Sequence, residues 1–320
     1  MIDVQSCFVT SLVELTAGSS IWVPEGASAL PDSTGQFFEG AELYAERYTA
    51  HEHFLDYIRQ TLHGVDLGGG VRRILDMGSG AGNTVFPSFS LFPEASVVAT
   101  DISPRLLEIL ARKAGERAEW AERLACVCLD ACADHYREGV FDLAIGGAIL
   151  HHLLDPSAVL EIVRRALRPG GVAVFFEPFE NGHAVLRLAY EEILEKAAAR
   201  PLNPPARTLL TALVRDLAAR TGSDKTDPCF PHLEDKWLFT REYLAKAARL
   251  AGFSSIEIKP RHLPGRIFSL QTEINLHLGA GLAPGAMEDW AWDVLRRYDE
   301  LFSVEMRQEL FFEAGVVFVR

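Results

Sequence analysis

A doubly wound α/β fold built on a parallel sheet is predicted for this 320-residue chain. Two observations carry the prediction. Through the middle of the chain, short apolar runs alternate with helical patterns, as consecutive βα units do, and a glycine-rich turn, Gly78-Ser79-Gly80-Ala81-Gly82, directly follows the first run. With 48% apolar and 23% charged residues the composition is that of an ordinary globular protein able to bury a full core.

In chain order, residues 1–70 read as an N-terminal helical extension, with a loop at Pro24–Gly35 and a helix near Ala41–Leu62. Residues 71–178 read as the α/β core, with strands at Arg73–Met77, Val97–Thr100, Ala125–Leu129, Phe141–Gly146 and Val172–Phe176. Two helix starts are explicit: Ser103 before Pro104 and Asp155 before Pro156 each place a polar N-cap ahead of a proline at the first helical position. The second of these helices carries Val159, Leu160, Ile162, Val163 and Leu167 as an apolar stripe and is expected to stop at Pro169-Gly170-Gly171. Residues 179–238 form an insertion with helices at Ala184–Ala199 and Pro205–Arg220 and a loop around Thr221–Pro231. Residues 239–320 complete a seven-stranded sheet with strands Ser255–Ile258 and Gly315–Val319, around a second helical insertion at about 265–310. That insertion carries Trp290, Trp292, Tyr298 and Phe302, an aromatic group that reads as core ahead of a substrate cage. Both insertions follow late strands, where a lid would stand; a homodimer interface is the other use of their apolar faces.

The formal charge of −13 would repel a polyanion at long range, so no nucleic-acid partner is expected. Residues 178–270 alone carry a slight basic excess, which would suit an acidic small molecule. The cysteines Cys7, Cys126, Cys128, Cys132 and Cys229 are odd in number and lack C-x-x-C spacing, which argues against a disulfide framework or a zinc site. The N-terminus lacks the basic and apolar segments of a signal peptide and no run of about 18 apolar residues occurs, so a cytoplasmic protein with no membrane partner is expected.

The glycine turn has the form Gly78-x-Gly80-x-Gly82. The pyrophosphate-binding version of such a loop needs glycine at position 83, which is Asn83, and no phosphate-loop lysine follows. The next strand ends in Thr100-Asp101-Ile102, which puts a carboxylate where it can accept from both hydroxyls of a ribose, with Ile102 against a base. The third ends in Leu129-Asp130-Ala131, a carboxylate and amide for an adenine edge.

With these motifs in this order, joined by Phe141-Asp142-Leu143-Ala144, Leu150-His151-His152-Leu153 and Leu167-Arg168-Pro169-Gly170-Gly171, the sequence resembles the class I S-adenosylmethionine-dependent methyltransferases. The resemblance covers residues 70–178 well and 238–260 more loosely. It implies a Rossmann-like sheet with its last strand antiparallel and S-adenosylmethionine as cofactor. It further implies that Gly78, Ser79, Gly80, Gly82 and Gly146 border the cofactor, that Asp76 organises the loop, that Asp101 and Ile102 serve the ribose and base, and that Asp130 and Ala131 serve the adenine. Tyr44 and Tyr48 share one helical face, and the resemblance implies that Tyr48 closes over the methionine end; packing on the sheet is the alternative. Asp142 reads as a strand-start residue only.

In an open parallel sheet the methyl acceptor approaches at the carboxyl ends of strands four and five. His151 and His152 fall after the fourth and Glu177 ends the fifth. A histidine can deprotonate a hydroxyl near neutral pH, and a carboxylate beside Phe175 and Phe176 can act on a weak acid or steady a cation. The alternatives are packing or capping for the histidines, and substrate binding or helix capping for Glu177. His183, His232 and Asp235 lack diagnostic ligand spacing, and no metal is expected. The expected function is methyl transfer to an oxygen or carbon of a small molecule, a secondary metabolite or sugar-like acceptor. A non-methylating S-adenosylmethionine-dependent transferase and a cofactor-binding regulatory protein without turnover are the competing readings.

Overall fold

The computed structural model describes residues 2–26, 41–42, 51–263, 265–283 and 285–320. The chain divides into two compact units: Met1–Phe176 with Leu244–Lys259 and Gly315–Arg320, and Glu177–Tyr243 with Pro260–Ala314.

Among the described residues the sheet has nine strands: β1 (Leu12–Glu14), β2 (Ile21–Pro24), β3 (Arg73–Met77), β4 (Ser96–Asp101), β5 (Leu124–Cys128), β6 (Phe141–Gly147), β7 (Leu167–Pro178), β8 (Ser255–Arg261) and β9 (Glu313–Val319). Their order is β1-β2-β5-β4-β3-β6-β7-β9-β8. β2 to β7 are joined by parallel ladders, and β1 closes one edge antiparallel to β2. Backbone bonds join Gly170 to Arg320 near one end of β7 and Phe179 to Phe312 at the other, so β9 runs antiparallel to β7, as expected.

Two expectations are corrected here. Among the described residues the sheet has nine strands instead of seven, because the N-terminal segment contributes β1 and β2 where only a loop and a helix were expected; Pro24, assigned to the loop, ends β2. Proline is tolerated there because it is the last residue of a short strand. The other correction concerns Pro169-Gly170-Gly171, which is not a turn between helix and strand. The preceding helix ends at Ala166 and β7 starts at once with Leu167, pairing with Phe141; the register then jumps to Leu143–Val172, so Arg168–Gly171 bulges out.

Helices flank the strands: α1 (His51–Leu62), α2 (Val85–Leu91), α3 (Pro104–Gly115), α4 (Ala118–Ala121) and α5 (Pro156–Ala166). Ile74, Val97, Ala99, Leu143, Ile145, Val172 and Val174 point to one face and pack with Tyr57, Ile58, Val85, Phe86, Phe89, Leu107 and Leu110 from the helices. Both predicted caps form. Ser103 Oγ accepts from Leu106 N at 3.3 Å, and Asp155 Oδ1 accepts from Ser157 N at 3.0 Å and Ala158 N at 3.3 Å. Asp142 does more than start a strand. It accepts the backbone N–H groups of Arg72 and Arg73, both at 2.8 Å, and the Arg168 Nε at 2.6 Å, tying β3, β6 and the bulge together. Its burial favours the neutral acid, but the Arg168 hydrogen bond, the two N–H donors and the Arg168 charge outweigh this and hold its carboxyl below the usual range.

The second unit is helical: α6 (Glu180–Lys196), α7 (Pro204–Arg220), α9 (Ile267–Ala280), α10 (Asp289–Leu301) and α11 (Val304–Glu309); α8 (Arg241–Ala251) belongs from Leu244 onward to the first unit and precedes β8. Leu186, Tyr190, Ile193, Leu210, Phe268, Leu276, Trp292 and Leu295 form its core, and Trp290, Tyr298 and Phe302 pack against it. The aromatic group is therefore core. Buried Asp299 caps α9 from α10, accepting from Phe268 N at 2.7 Å, Ser269 N at 3.2 Å and Ser269 Oγ at 2.5 Å. The helix lacks a side-chain cap of its own, and this carboxylate takes that role.

Candidate active site

The carboxyl ends of β3 to β6 bring most of the expected site residues to one edge of the first unit. After β3 the chain passes Gly78, Gly80 and Gly82 with φ of +63°, +49° and +102°, values that favour glycine. Ser79 N donates to Thr100 O at 3.0 Å, and Gly80 N donates to Asp101 Oδ2 at 2.8 Å, so the end of β4 holds the loop. The other Asp101 oxygen accepts from Ser103 N at 2.8 Å, which fixes the entry to α3. Burial raises the Asp101 carboxyl above its ordinary value, and the N–H groups of Ser103, Gly80 and Ile102 oppose that rise. Leu129 N donates to Asp101 O at 3.0 Å, bringing Asp130 alongside; Asp130 Oδ1 in turn accepts from Cys132 N at 2.8 Å.

The three loop glycines answer to different neighbours. A Cβ on Gly78 would lie 2.8 Å from Ile149 Cδ1, and one on Gly82 would lie 2.5 Å from the Phe86 ring and 2.8 Å from Leu110 Cδ1. At Gly80 it would meet nothing within 4 Å. Packing accounts for two of the glycines, and the open side of the loop is at Gly80. Gly146 is closed off by Phe175 and Ile149, whose atoms would lie 2.5 Å and 2.7 Å from its Cβ.

Asp76, fully buried at the end of β3, has no well-formed hydrogen bond to either carboxylate oxygen, and the buried hydroxyl of Ser79 has none either. Burial pushes the Asp76 carboxyl up to about 7; the nearby Thr84 hydroxyl lowers it and the Asp101 charge raises it. Because the folded value exceeds the unfolded one, the folded state holds this proton between about pH 4 and 7 while the unfolded chain releases it. Stability of the ligand-free chain should therefore fall as pH rises through that window, by up to about 4 kcal/mol from this group, and level off above it. Urea unfolding from pH 4 to 8 should show that slope, and Asp76→Asn should flatten it; an unchanged slope in the variant would assign the titration elsewhere.

His151 is buried and His152 half-buried in the turn Leu150–His152 after β6, their ring centroids 4.2 Å apart. Ala148 just before them has φ +59°, the one non-glycine residue in the left-handed region among those described, and its N–H donates to Phe176 O at 3.0 Å. Glu177, next along β7, is 1% exposed. Tyr44 and Tyr48 lie outside the described residues. The helix expected near them is described as α1, whose Phe54 ring would lie 3.6 Å from a Cβ on Gly147 and whose Tyr57 ring lies 4.4 Å from that of Phe176. Sequence reasoning missed Ala148 and Ile149, since a left-handed alanine leaves no mark in a sequence.

Residues 75–173 match the family model for a methyltransferase domain. That span contains the glycine loop, Asp101, Asp130 and the histidine pair. Over this span the chain is similar to the class I S-adenosylmethionine-dependent methyltransferases. The chain is 31% identical over 163 residues to a malonyl-acyl-carrier-protein O-methyltransferase from Halorhodospira halophila, a stretch covering 50% of this chain and 52% of that protein. It is 31% identical over 106 residues to a ubiquinone/menaquinone biosynthesis C-methyltransferase from Desulfotalea psychrophila, covering 33% and 41%. The match thus spans about half of these relatives or less. Among solved structures, phosphoethanolamine N-methyltransferase 2 from Haemonchus contortus shares the fold with TM-score 0.51 at 15% identity, over 90% of this chain and 58% of that one. SpnF, a cyclase, shares it with TM-score 0.51 at 18% identity, over 84% and 81%.

The methyltransferase domain's own residues fit its cofactor. S-adenosylmethionine carries a sulfonium and an ammonium group, and Asp76 and Ser79 are buried oxygens still lacking a donor, on the loop whose open side is at Gly80. The Asp101 carboxylate has more acceptor positions than the N–H groups of Gly80, Ser103 and Ile102 use, which leaves capacity for a ribose hydroxyl. No helix among the described residues is long and apolar enough to cross a membrane.

Proposed function

We propose that this chain transfers a methyl group from S-adenosylmethionine to an oxygen or carbon of a small-molecule acceptor. The observation that carries the reading is the cradle at Gly80, where Asp76 and Ser79 present buried, unmatched acceptors inside a methyltransferase domain. The O- and C-methyltransferases among its relatives support the acceptor chemistry.

Bound there, the cofactor supplies an electrophilic methyl on sulfur. The loop's part is to fix that methyl in line with the acceptor, because orientation alone accounts for much of the rate in a displacement of this kind. Asp101 would hold the ribose while keeping Gly80 and Ser103 in place, and Asp130 with Ala131 would meet the adenine. A hydroxyl or acidic carbon must lose a proton as it is methylated, and His151, His152 and Glu177 are the groups assigned to receive it.

The test is calorimetric titration of S-adenosylmethionine and S-adenosylhomocysteine into the full chain, followed by transfer of labelled methyl to a panel of hydroxylated and carboxylated acceptors. Binding in the micromolar range with transfer to one acceptor class supports the proposal, and absence of binding by the folded protein removes it. Replacing His151, His152 and Glu177 together with rate unchanged would withdraw the base assignments alone. The fold leaves room for other chemistry, since SpnF shares it and is a cyclase. Binding without transfer to any acceptor would favour that reading.

A further inference from the structure

Ile149 is the residue on which the glycine loop and the end of β6 both rest. Its Cδ1 and Cγ1 lie where a Gly78 side chain would begin, at 2.8 and 2.9 Å from that Cβ position, and its Cγ2 lies 2.7 Å from the corresponding point on Gly146. The two arms of one β-branched side chain thus press on two different strands' ends. Its backbone is held as well: Ala148 before it adopts φ +59° and donates to Phe176 O at 3.0 Å, while Ile149 O accepts from His152 N at 3.1 Å. A non-glycine residue stays in that region only where its surroundings impose it. The whole segment is a clip between the loop after β3, the end of β7 and the histidine turn.

We propose that Ile149 is a positioning residue that sets the glycine loop against the end of β6, so that its side-chain shape governs how tightly the loop holds its ligand. The proposal rests on the reading of that loop as the S-adenosylmethionine site. Neither a proton nor a charge is involved; the effect is that of a wedge. Gly78 is glycine because Ile149 takes the space, and the chain strains Ala148 to bring Ile149 there.

The two arms can be removed separately. Ile149→Val keeps Cγ2 against Gly146 and deletes Cδ1 against Gly78, while Ile149→Ala deletes both. S-adenosylhomocysteine would be titrated calorimetrically into the full-length wild type and both variants at a temperature where each is folded, with thermal unfolding of the ligand-free proteins recorded alongside. Affinity should weaken a few-fold in Ile149→Val and about tenfold or more in Ile149→Ala, as expected when a binding loop loses its seat. Packing alone predicts a different result, a lower unfolding temperature with the affinity of the folded fraction unchanged, and that would overturn the proposal. If Ile149→Ala does not fold, Ile149→Val decides by itself. Wild type that fails to bind would instead strike at the cofactor reading.

Discussion

Gly82→Ala should cost the folded chain about 4 kcal/mol, whereas Gly80→Ala should cost it about 1 kcal/mol and yet weaken S-adenosylhomocysteine binding about 30-fold. The contrast comes from geometry. At Gly82 a methyl would lie 2.5 Å from the Phe86 ring and 2.8 Å from Leu110, at φ +102°, outside any region an alanine adopts comfortably. Overpacking and backbone strain therefore add, and the sum is a large part of the ~5–15 kcal/mol that stabilises a typical domain. At Gly80 the methyl would meet nothing and φ is +49°, which alanine reaches for a small penalty. What it does occupy is the open side of the loop, where a ligand backbone would approach. Urea unfolding and calorimetry on the two variants separate the effects. Wild-type affinity in Gly80→Ala would show that the ligand does not approach there.

Asp101→Ala should be the most damaging single change to cofactor binding, lowering affinity about 100-fold, or ~2.7 kcal/mol. Several interactions depend on that carboxylate: the N–H groups of Gly80 and Ser103, both at 2.8 Å, that of Ile102, and the proposed contact with the ribose. Gly80 is half-buried, so water can partly replace the acceptor lost there, whereas Ser103 is 1% exposed and its N–H would go unpaired; the stability loss should be about 1–3 kcal/mol. Asp101→Asn keeps one acceptor oxygen and removes the charge. It should bind at intermediate strength, and it should also lower the Asp76 value, since the Asp101 charge is one of the causes holding it at about 7. A shallower loss of stability with rising pH in Asp101→Asn than in wild type is thus expected. Calorimetry at pH 7.5 with unfolding at several pH values reads both effects; an Asp101→Ala variant that binds normally would leave neither the tie nor the ribose role standing.

The central strands and the two proline-led helices were legible because each has a local cause: continuous apolar runs for β3 to β6, and a side-chain acceptor beside a proline for Ser103 and Asp155. β1 and β2 were not legible. They span only three and four residues, too short for a period to show, and β2 exists because β5 offers it an edge. The bulge at Arg168–Gly171 escaped for a related reason: Pro-Gly-Gly reads locally as a turn, while the tie to Asp142 that holds it in β7 comes from a residue 26 positions away. In the site, the glycines and carboxylates stood out by type and spacing. Ile149 did not, because a wedge is an ordinary aliphatic residue whose importance lies in what its neighbours lack.

The order of strands also bears on how the chain is made. β9 stands between β7 and β8 in the sheet but follows both in sequence, with residues 262–312 separating it from β8. On a ribosome adding roughly 5–20 residues per second, β8 emerges several seconds before the strand that will flank it exists. Through that interval the edges of β7 and β8 present unpaired backbone groups, which is the circumstance in which nascent chains pair wrongly with one another. Slow translation across residues 262–312 would lengthen this exposure, and production at low temperature with chaperones present would be expected to raise the yield of correctly assembled protein.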